Sequence, residues 1–307
     1  MYIYLFANFS TCLSLKRPIL RAKLQLSNIS WKLTAMMTDP QNRLALIAIA
    51  QNAGQGRWRT EAMRSHSSPR LMFVGRGQGR ITIAGLTSGF GANNLIYIPA
   101  GTMYGFEVGP TVFGQMLTIP TAMATEWPTE QVHLRLRDVI AQKELALHMD
   151  ALERELTSDQ PSHQRAAHYQ LGLLSIYFER QLELRDTETK DARTDSASAR
   201  LVAAYTDLIE RDYHDQSGVA DYAAKLGVTP THLARCCRQT SGKSALELLN
   251  DRILFEARIL LRDTKDPVQK IASDLGFGSA AYFTRAFAAQ TGLTPSKFRQ
   301  KGPLAAV

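Results

Sequence analysis

Two stretches of the chain repeat one pattern, Val219-Ala-Asp-Tyr-Ala-Ala-Lys-Leu-Gly-Val228 and Val268-Gln-Lys-Ile-Ala-Ser-Asp-Leu-Gly-Phe277. Four positions are identical at a spacing of 49 residues: Val219/Val268, Ala223/Ala272, Leu226/Leu275 and Gly227/Gly276. A following run, His232-Leu-Ala-Arg-Cys-Cys237, aligns with Tyr282-Phe-Thr-Arg-Ala-Phe287 at a spacing of 50 residues. The chain therefore contains one unit written twice.

Each copy predicts two helices joined by a tight turn. The turn glycine, Gly227 or Gly276, accepts a backbone conformation that is costly for other residues. A capping residue precedes each second helix, Thr229 before residues 230–240 and Ser279 before residues 280–291. We therefore expect two helix-turn-helix units.

The spacing within each second helix predicts which way its side chains point. Apolar residues four positions apart share a helix face, so one such pair in each copy is expected in the core: Leu233 with Cys237, and Phe283 with Phe287. Arg235 and Arg285 lie between these positions and must point elsewhere, towards solvent or a ligand. The adjacent Cys236 and Cys237 are expected to be small buried apolar residues rather than a redox switch.

A single helix is predicted between the two copies. Ser244-Ala-Leu-Glu247 is a capping box, and the helix it starts reaches about Arg262. At about 1.5 Å per residue, this helix spans roughly 28 Å. That length suits a rigid spacer between two helices placed about one duplex turn (~34 Å) apart.

The charge is distributed unevenly along the chain, whose formal net charge is +8. Residues 216–301 carry 13 basic and 7 acidic side chains, whereas residues 38–215 carry 18 basic and 21 acidic ones. A basic C-terminal block after a mildly acidic middle points to an anionic partner for the block alone.

Residues 200–303 resemble the DNA-binding domain of AraC/XylS-type transcriptional regulators. The resemblance rests on LGVTPTHLARCCRQTSGKSALELLNDRILFEARILL (residues 226–261) and IASDLGFGSAAYFTRAFAAQTGLTPSKFR (residues 271–299). It implies a protein that reads two adjacent major grooves of double-stranded DNA with residues 230–240 and 280–291. In this family an N-terminal domain usually senses an effector or dimerises.

The resemblance also implies which residues touch DNA. The base-contacting positions correspond to Thr231, Ala234, Arg235, Ala280, Ala281, Thr284 and Arg285. Arginine pairs with both acceptors of a guanine edge and alanine offers only apolar contact, so the two arginines should carry most of the direct readout. Candidate phosphate contacts, each equally an ordinary surface base, are Lys243, Lys297, Arg299 and Lys301.

Short apolar runs separated by glycine between about Arg57 and Pro120 predict a small antiparallel barrel in a domain over residues 38–122. Residues 91–106 resemble the second cupin motif, with Tyr104 where cupins usually carry a metal-binding histidine. His66 is the only histidine among residues 1–132, so a multi-histidine metal site cannot be built there, and we expect no metal or cofactor. Tyr97, Tyr104 and Phe106 are either lining of an effector pocket or plain core aromatics.

Residues 123–185 are expected to be helical, from Pro128 to about Leu156 and from Pro161 to about Leu184. The apolar positions of the second helix, which belong either to the core or to a self-association surface, are Ala166, Tyr169, Leu173, Tyr177 and Leu184. Residues 186–199 contain no apolar residue larger than alanine and predict a polar tether. The predicted architecture is multidomain α+β: a small antiparallel cupin-like barrel with following helices, then an all-α domain of two helix-turn-helix motifs joined by a long helix.

Residues 1–37 are expected to be an N-terminal extension without a role, because globular-looking sequence begins only after Met36 and Met37. The chain has 3 cysteines, too few for a secreted disulfide framework, and no apolar run of about 18–20 residues that would span a membrane. These features favour a location in the bacterial cytoplasm, associated with the nucleoid.

The sequence thus predicts a sequence-specific transcriptional regulator that is not an enzyme. Its expected partners are double-stranded DNA, RNA polymerase if it is an activator, a small effector and a second copy of the chain. One alternative is a DNA-binding protein whose barrel only dimerises. Another, opposed by the missing histidines, is a cupin enzyme fused to a DNA-binding domain.

Overall fold

The computed structural model of the chain describes residues 42–49, 58–109, 111–186, 196–215 and 218–300. The predictions for residues 1–37, for most of the tether at 186–199 and for Lys301 fall outside the described residues. Within them, strands precede a wholly helical C-terminal part, as the α+β prediction requires.

The strands form two antiparallel sheets in the described part of the chain. Five strands pair in the order β1-β7-β2-β5-β8, and three pair in the order β4-β3-β6. Their bounds are β1 (Ala45–Ala48), β2 (Arg70–Arg76), β3 (Gly79–Ile83), β4 (Leu86–Phe90), β5 (Asn94–Ile98), β6 (Tyr104–Val108), β7 (Phe113–Thr118) and β8 (Val132–Arg135).

The two sheets pack face to face around an apolar core, which includes Met72, Ile81, Ile96 and Phe106. This arrangement corrects the predicted barrel. Among the described strands, no ladder joins the five-stranded to the three-stranded sheet, so they form a sandwich rather than a closed barrel. Short strands between glycines are equally compatible with both architectures, because the alternation along each strand is the same.

The helices are numbered in chain order, and the first, α1, is short and precedes β2. Their bounds are α1 (Trp58–Glu61), α2 (Val139–Thr157), α3 (His163–Asp186), α4 (Ala197–Asp212), α5 (Val219–Lys225), α6 (Pro230–Ser241), α7 (Ala245–Asp263), α8 (Val268–Asp274), α9 (Ala280–Thr291) and α10 (Pro295–Gln300). A 3-10 helix at Thr121–Glu126 precedes β8.

Helices α2 and α3 cover the outer face of the five-stranded sheet, where Leu71, Leu95 and Leu117 meet the helical residues Leu145 and Leu171. The prediction of a helix from Pro128 was wrong at its start. Val132–Arg135 pairs with β5 as strand β8, and the helix begins only after Asp138, whose side chain accepts a hydrogen bond from the Ala141 amide at 2.9 Å. A partner strand far away in sequence outweighs the helical composition there.

The apolar stripe of α3 was expected to belong either to the core or to a self-association surface, and Tyr177 is its one buried member. Three of its members, Tyr169, Leu173 and Leu184, are exposed, whereas Leu171 and Leu174 on the neighbouring face are fully buried. Helix α3 therefore has apolar residues on two faces, and the sheet takes up only one of them.

Helices α4 to α10 share one apolar core, as the repeat predicts. Both turn glycines adopt the left-handed conformation, with φ of 68° at Gly227 and 76° at Gly276. The second helices begin at their predicted caps, because Thr229 and Ser279 accept hydrogen bonds from amides three residues ahead. The two helix-turn-helix units, α5–α6 and α8–α9, are confirmed.

Replacing Gly227 by alanine tests the turn. A Cβ there would meet no atom within 4 Å, so the positive φ is the only penalty. We expect Gly227→Ala to lower the free energy of unfolding by about 1 kcal/mol, measured by denaturant titration. Gly278→Ala is the control, because Gly278 has equally open space without a positive φ. Equal effects of both changes would contradict this explanation.

Candidate nucleic-acid interface

Helices α6 and α9 each bury one face and expose another. Leu233 and Cys237 in α6, and Phe283 and Phe287 in α9, have no accessible surface. The arginines between them, at positions 235 and 285, are both exposed. The predicted direction of these side chains is therefore confirmed, and both arginines face solvent; α6 also exposes Arg238.

The seven predicted base-contact residues all lie on these two helices. Four are exposed (Thr231, Arg235, Ala281 and Arg285) and three are half-buried (Ala234, Ala280 and Thr284). Thr231, Ala234 and Arg235 line one open groove, of about 710 Å³, beside the N-terminal end of α7. Ala280 packs against the helical core, which limits what it can contact outside. The structure thus brings the candidates together within each motif.

The predicted phosphate contacts differ in whether their side chains already bond to other residues of the chain. Lys297 is exposed on α10, and Lys301 lies outside the described residues. Lys243 is half-buried, with Nζ 2.6 Å from the Asp251 carboxylate. Arg299 donates to the backbone carbonyls of Leu261, at 3.2 Å, and Asp266, at 2.6 Å. Arg299 therefore ties α10 to the end of α7, whatever it contacts outside.

A residue that sequence reasoning missed lies next to the first arginine. Nη2 of Arg235 is 3.1 Å from Nδ1 of His232, one helical turn earlier. The three-residue spacing was the available signal, because residues at i and i+3 meet on a helix surface.

The two described cysteines behave as buried apolar residues, as predicted. Cys236 is 1% exposed and Cys237 is fully buried. Burial raises the pKa of the Cys237 thiol to about 12, so the reactive thiolate is suppressed.

Helix α7 is held at both ends and against α4. The predicted capping box is present, since the Ser244 amide donates to the Glu247 carboxylate at 2.6 Å and the Glu247 amide donates back at 3.2 Å. These hydrogen bonds hold the pKa of Glu247 below its usual value. Arg252, nearly buried, reaches both carboxylate oxygens of Glu210 on α4, at 2.6 and 3.1 Å. The spacer between the two motifs is thus fixed to the rest of the helical part.

The three-stranded sheet contacts the first motif directly. Thr87 Oγ1 in β4 donates to the carbonyl of Ser241 at the end of α6, at 3.0 Å. Close by, Lys243 Nζ lies 3.5 Å from the carbonyl of Glu61. Met63 and Met103, from loops of the sheet part, belong to the apolar core of the helices. Strands and helices therefore share buried side chains as well as polar contacts.

A buried arginine reinforces this contact. The Arg64 guanidinium lies 4.7 Å from the ring centroid of Tyr104 in β6 and 5.9 Å from that of Phe255 in α7. Its Nη1 donates to the carbonyl of Thr60 at 3.0 Å. Burial, with the nearby Arg70, Arg64 and Arg252 charges, lowers the pKa of His66 and keeps this imidazole neutral.

The three candidate pocket aromatics do not meet in one cavity. Tyr97 stacks on Trp127 at 5.6 Å between the five-stranded sheet and the helices. Tyr104 and Phe106 point into the core between the two sheets. All three are buried, in the manner of core residues.

Within the described residues, no group of three or more His, Cys, Asp or Glu side chains is placed to hold a metal ion. In the same residues, no helix combines the length and apolar character that crossing a bilayer requires.

The sequence of the helical part is similar to those of known proteins. A family model described as a helix-turn-helix domain matches residues 222–301. The arabinose operon regulatory protein of Escherichia coli is 33% identical over 81 residues, which cover 26% of this chain and 28% of that protein. The match thus spans less than a third of the arabinose regulator.

Two further similarities extend over more of the chain. The uncharacterized HTH-type transcriptional regulator YijO of Escherichia coli is 25% identical over 239 residues, covering 76% of this chain and 81% of that protein. The crystal structure of ToxT from Vibrio cholerae aligns over 84% of this chain and 96% of its own at 13% identity, with a TM-score of 0.42.

Proposed function

Residues 222–301 are an AraC-type helix-turn-helix domain, and on that premise we propose that the chain is a sequence-specific DNA-binding regulator of transcription. It acts through double-stranded DNA at promoters or operators in the bacterial cytoplasm. The matched residues run from Tyr222 in α5 to the end of α10, and so include all of the second motif and all but the first three residues of the first.

The observation that carries this proposal is the pair of exposed arginines at equivalent positions of the repeat. Arg235 and Arg285 each stand on a helix whose opposite face is fully buried. The 19-residue helix α7, about 28 Å long, separates the two motifs. Two recognition helices joined through such a spacer suit adjacent major grooves of one duplex.

The contacts divide into those that read sequence and those that only attract DNA. Arg235 and Arg285 each supply a planar fork for a guanine edge, and Thr231 and Thr284 supply a hydroxyl and a methyl group. Lys297 is an exposed cation on α10, which fits a phosphate contact without base preference.

We expect Arg235→Ala and Arg285→Ala each to cost about 1–3 kcal/mol of specific binding and to relax preference at one base pair. Lys297→Ala should instead weaken binding about equally on all sequences and reduce the salt slope by about 1. Anisotropy titrations on a duplex selected by the wild-type chain, with single base-pair changes, measure both. Arg180→Ala, an exposed arginine on α3, is the control. Uniform weakening by the arginine variants would contradict direct readout.

We further propose that the sheet part modulates DNA binding through its contact with α6. The hydrogen bond from Thr87 to the Ser241 carbonyl fixes the end of the first recognition helix, and Lys243, just before α7, pairs with Asp251 in the second turn of that helix. An effector or a partner subunit that moves β4 would therefore move the first motif. Tyr97 lies in one core and Tyr104 and Phe106 in another, so these three residues do not form a common effector pocket.

Thr87→Val tests this coupling, because valine keeps the shape and removes the donor. We expect specific DNA affinity to fall about 2- to 5-fold, since the end of α6 loses a hydrogen bond worth about 0.5–1.5 kcal/mol. Faster amide exchange at residues 240–245 should accompany the loss. Thr111→Val, at an exposed threonine before β7, is the control. An unchanged affinity and unchanged exchange would show that the sheet does not bias the first motif.

We also propose that two copies of the chain associate through α3. Tyr169, Leu173 and Ile176 are 68%, 49% and 45% exposed on one face of this helix. The same three residues line an open groove of about 850 Å³ that includes Trp127 and Pro128. An apolar patch of this kind beside a groove is typical of a protein interface.

A charge on this face should prevent association. We expect Leu173→Glu to shift the chain from dimer to monomer in sedimentation velocity experiments, because a carboxylate would be buried without a partner. Gln164→Glu adds the same charge to an exposed position of α3 and should leave the dimer intact. A chain that is monomeric before any change would rule out this surface.

We propose, from its relatives, that the chain activates transcription. The RhaR protein of Yersinia pseudotuberculosis, 31% identical over 106 residues, is described as a transcriptional activator. Activation by this chain would require contact with RNA polymerase in addition to DNA. The alternative function, a DNA-binding protein whose sheet part only dimerises, differs in having no effector.

A further inference from the structure

The exposed arginine of the first motif belongs to a chain of contacts that starts in the core. Nη2 of Arg235 lies 3.1 Å from Nδ1 of His232, and Nε2 of the same ring lies 3.6 Å from Sγ of Cys236. A guanidinium can only donate, so Nδ1 must be the acceptor. The neutral ring then carries its proton on Nε2, which is directed at the cysteine sulfur.

The inner end of this chain is fixed. Cys236 is 1% exposed, and its thiol donates to Ser198 Oγ on α4 at 3.6 Å. The backbone of His232 is fixed as well, because its amide donates to the Thr229 cap at 3.2 Å. A buried sulfur, an imidazole and a guanidinium thus follow one another from the core to the surface, and each of the three contacts pairs a donor with an acceptor.

The second motif is built differently at the equivalent positions. Tyr282 replaces the histidine, and its ring lies 5.9 Å from that of Phe277. Arg285 is exposed, and no hydrogen bond joins its guanidinium to another of the described residues. The two reading arginines are therefore alike in exposure and unlike in how they are held.

We propose that His232 is a positioning residue for base readout by Arg235. An arginine that recognises a base must give up side-chain rotamer freedom, and ordering it beforehand reduces that cost. The acceptor Nδ1 holds the guanidinium over the exposed face of α6 before DNA arrives. The side chain of Arg235 is therefore better ordered before DNA binds than that of Arg285. This inference rests on the proposed function.

The experiment compares three variants of the full chain. His232→Leu removes the acceptor at similar size, His232→Asn keeps an acceptor near the place of Nδ1, and Tyr282→Leu makes the matched change in the second motif. The probe is a duplex selected by the wild-type chain from a library with a randomised core of about 24 base pairs, which holds two half-sites one turn apart. Anisotropy titrations then measure discrimination against single base-pair changes, and thermal unfolding checks that each variant is folded.

We expect His232→Leu to reduce discrimination about 2- to 10-fold at the base pair read by Arg235 and to leave the one read by Arg285 unchanged. His232→Asn should restore most of this discrimination, and Tyr282→Leu should change neither. In an Arg235→Ala background, His232→Leu should have no further effect on that base pair.

Unchanged discrimination in a folded His232→Leu variant, or an equal loss at both base pairs, would overturn the positioning role while leaving the proposed function intact. A wild-type chain that selects no sequence from the library would overturn both.

Discussion

The interface for DNA depends on how α6 and α9 are anchored in a common core. Leu233 and Cys237 occupy one face of α6, Phe283 and Phe287 one face of α9, and none has accessible surface. Because side chains four residues apart share a face, burying these pairs fixes the rotation of each helix about its axis. Arg235 and Arg285, which lie between these positions, are thereby forced outward. The side chains proposed to read bases are thus exposed because of apolar packing on the other side of the same helix.

A comparable constraint governs the sheets. Side chains alternate along β5, so Ile96 faces the core between the sheets while Leu95 and Tyr97 face the helices. The five-stranded sheet is consequently buried on both faces, and aromatic residues from neighbouring strands are sent to separate cores. Helix α3 packs on one of these faces with Leu171 and Leu174. Its apolar residues Tyr169, Leu173 and Ile176 remain exposed.

The proposed regulation depends on the contact between strands and helices. Met63 and Met103 join the helical core, and Thr87 reaches the carbonyl that ends α6. Apolar burial provides most of the attraction there, whereas the hydrogen bond from Thr87 defines where β4 touches the motif. A movement within the sheet therefore has a direct route to one recognition helix.

The amino-acid sequence by itself determined the two helix-turn-helix units, their caps, the spacer helix and the exposure of Arg235 and Arg285. All of these follow from interactions within a few residues, such as a glycine at positive φ or a four-residue apolar spacing. Only the tertiary structure decided that Val132–Arg135 is a strand, that Tyr97 and Tyr104 lie in different cores, and that Lys243 lies near Glu61, 182 residues away. Local patterns encode which face of an element is apolar, but the partner that buries it comes from a distant part of the chain.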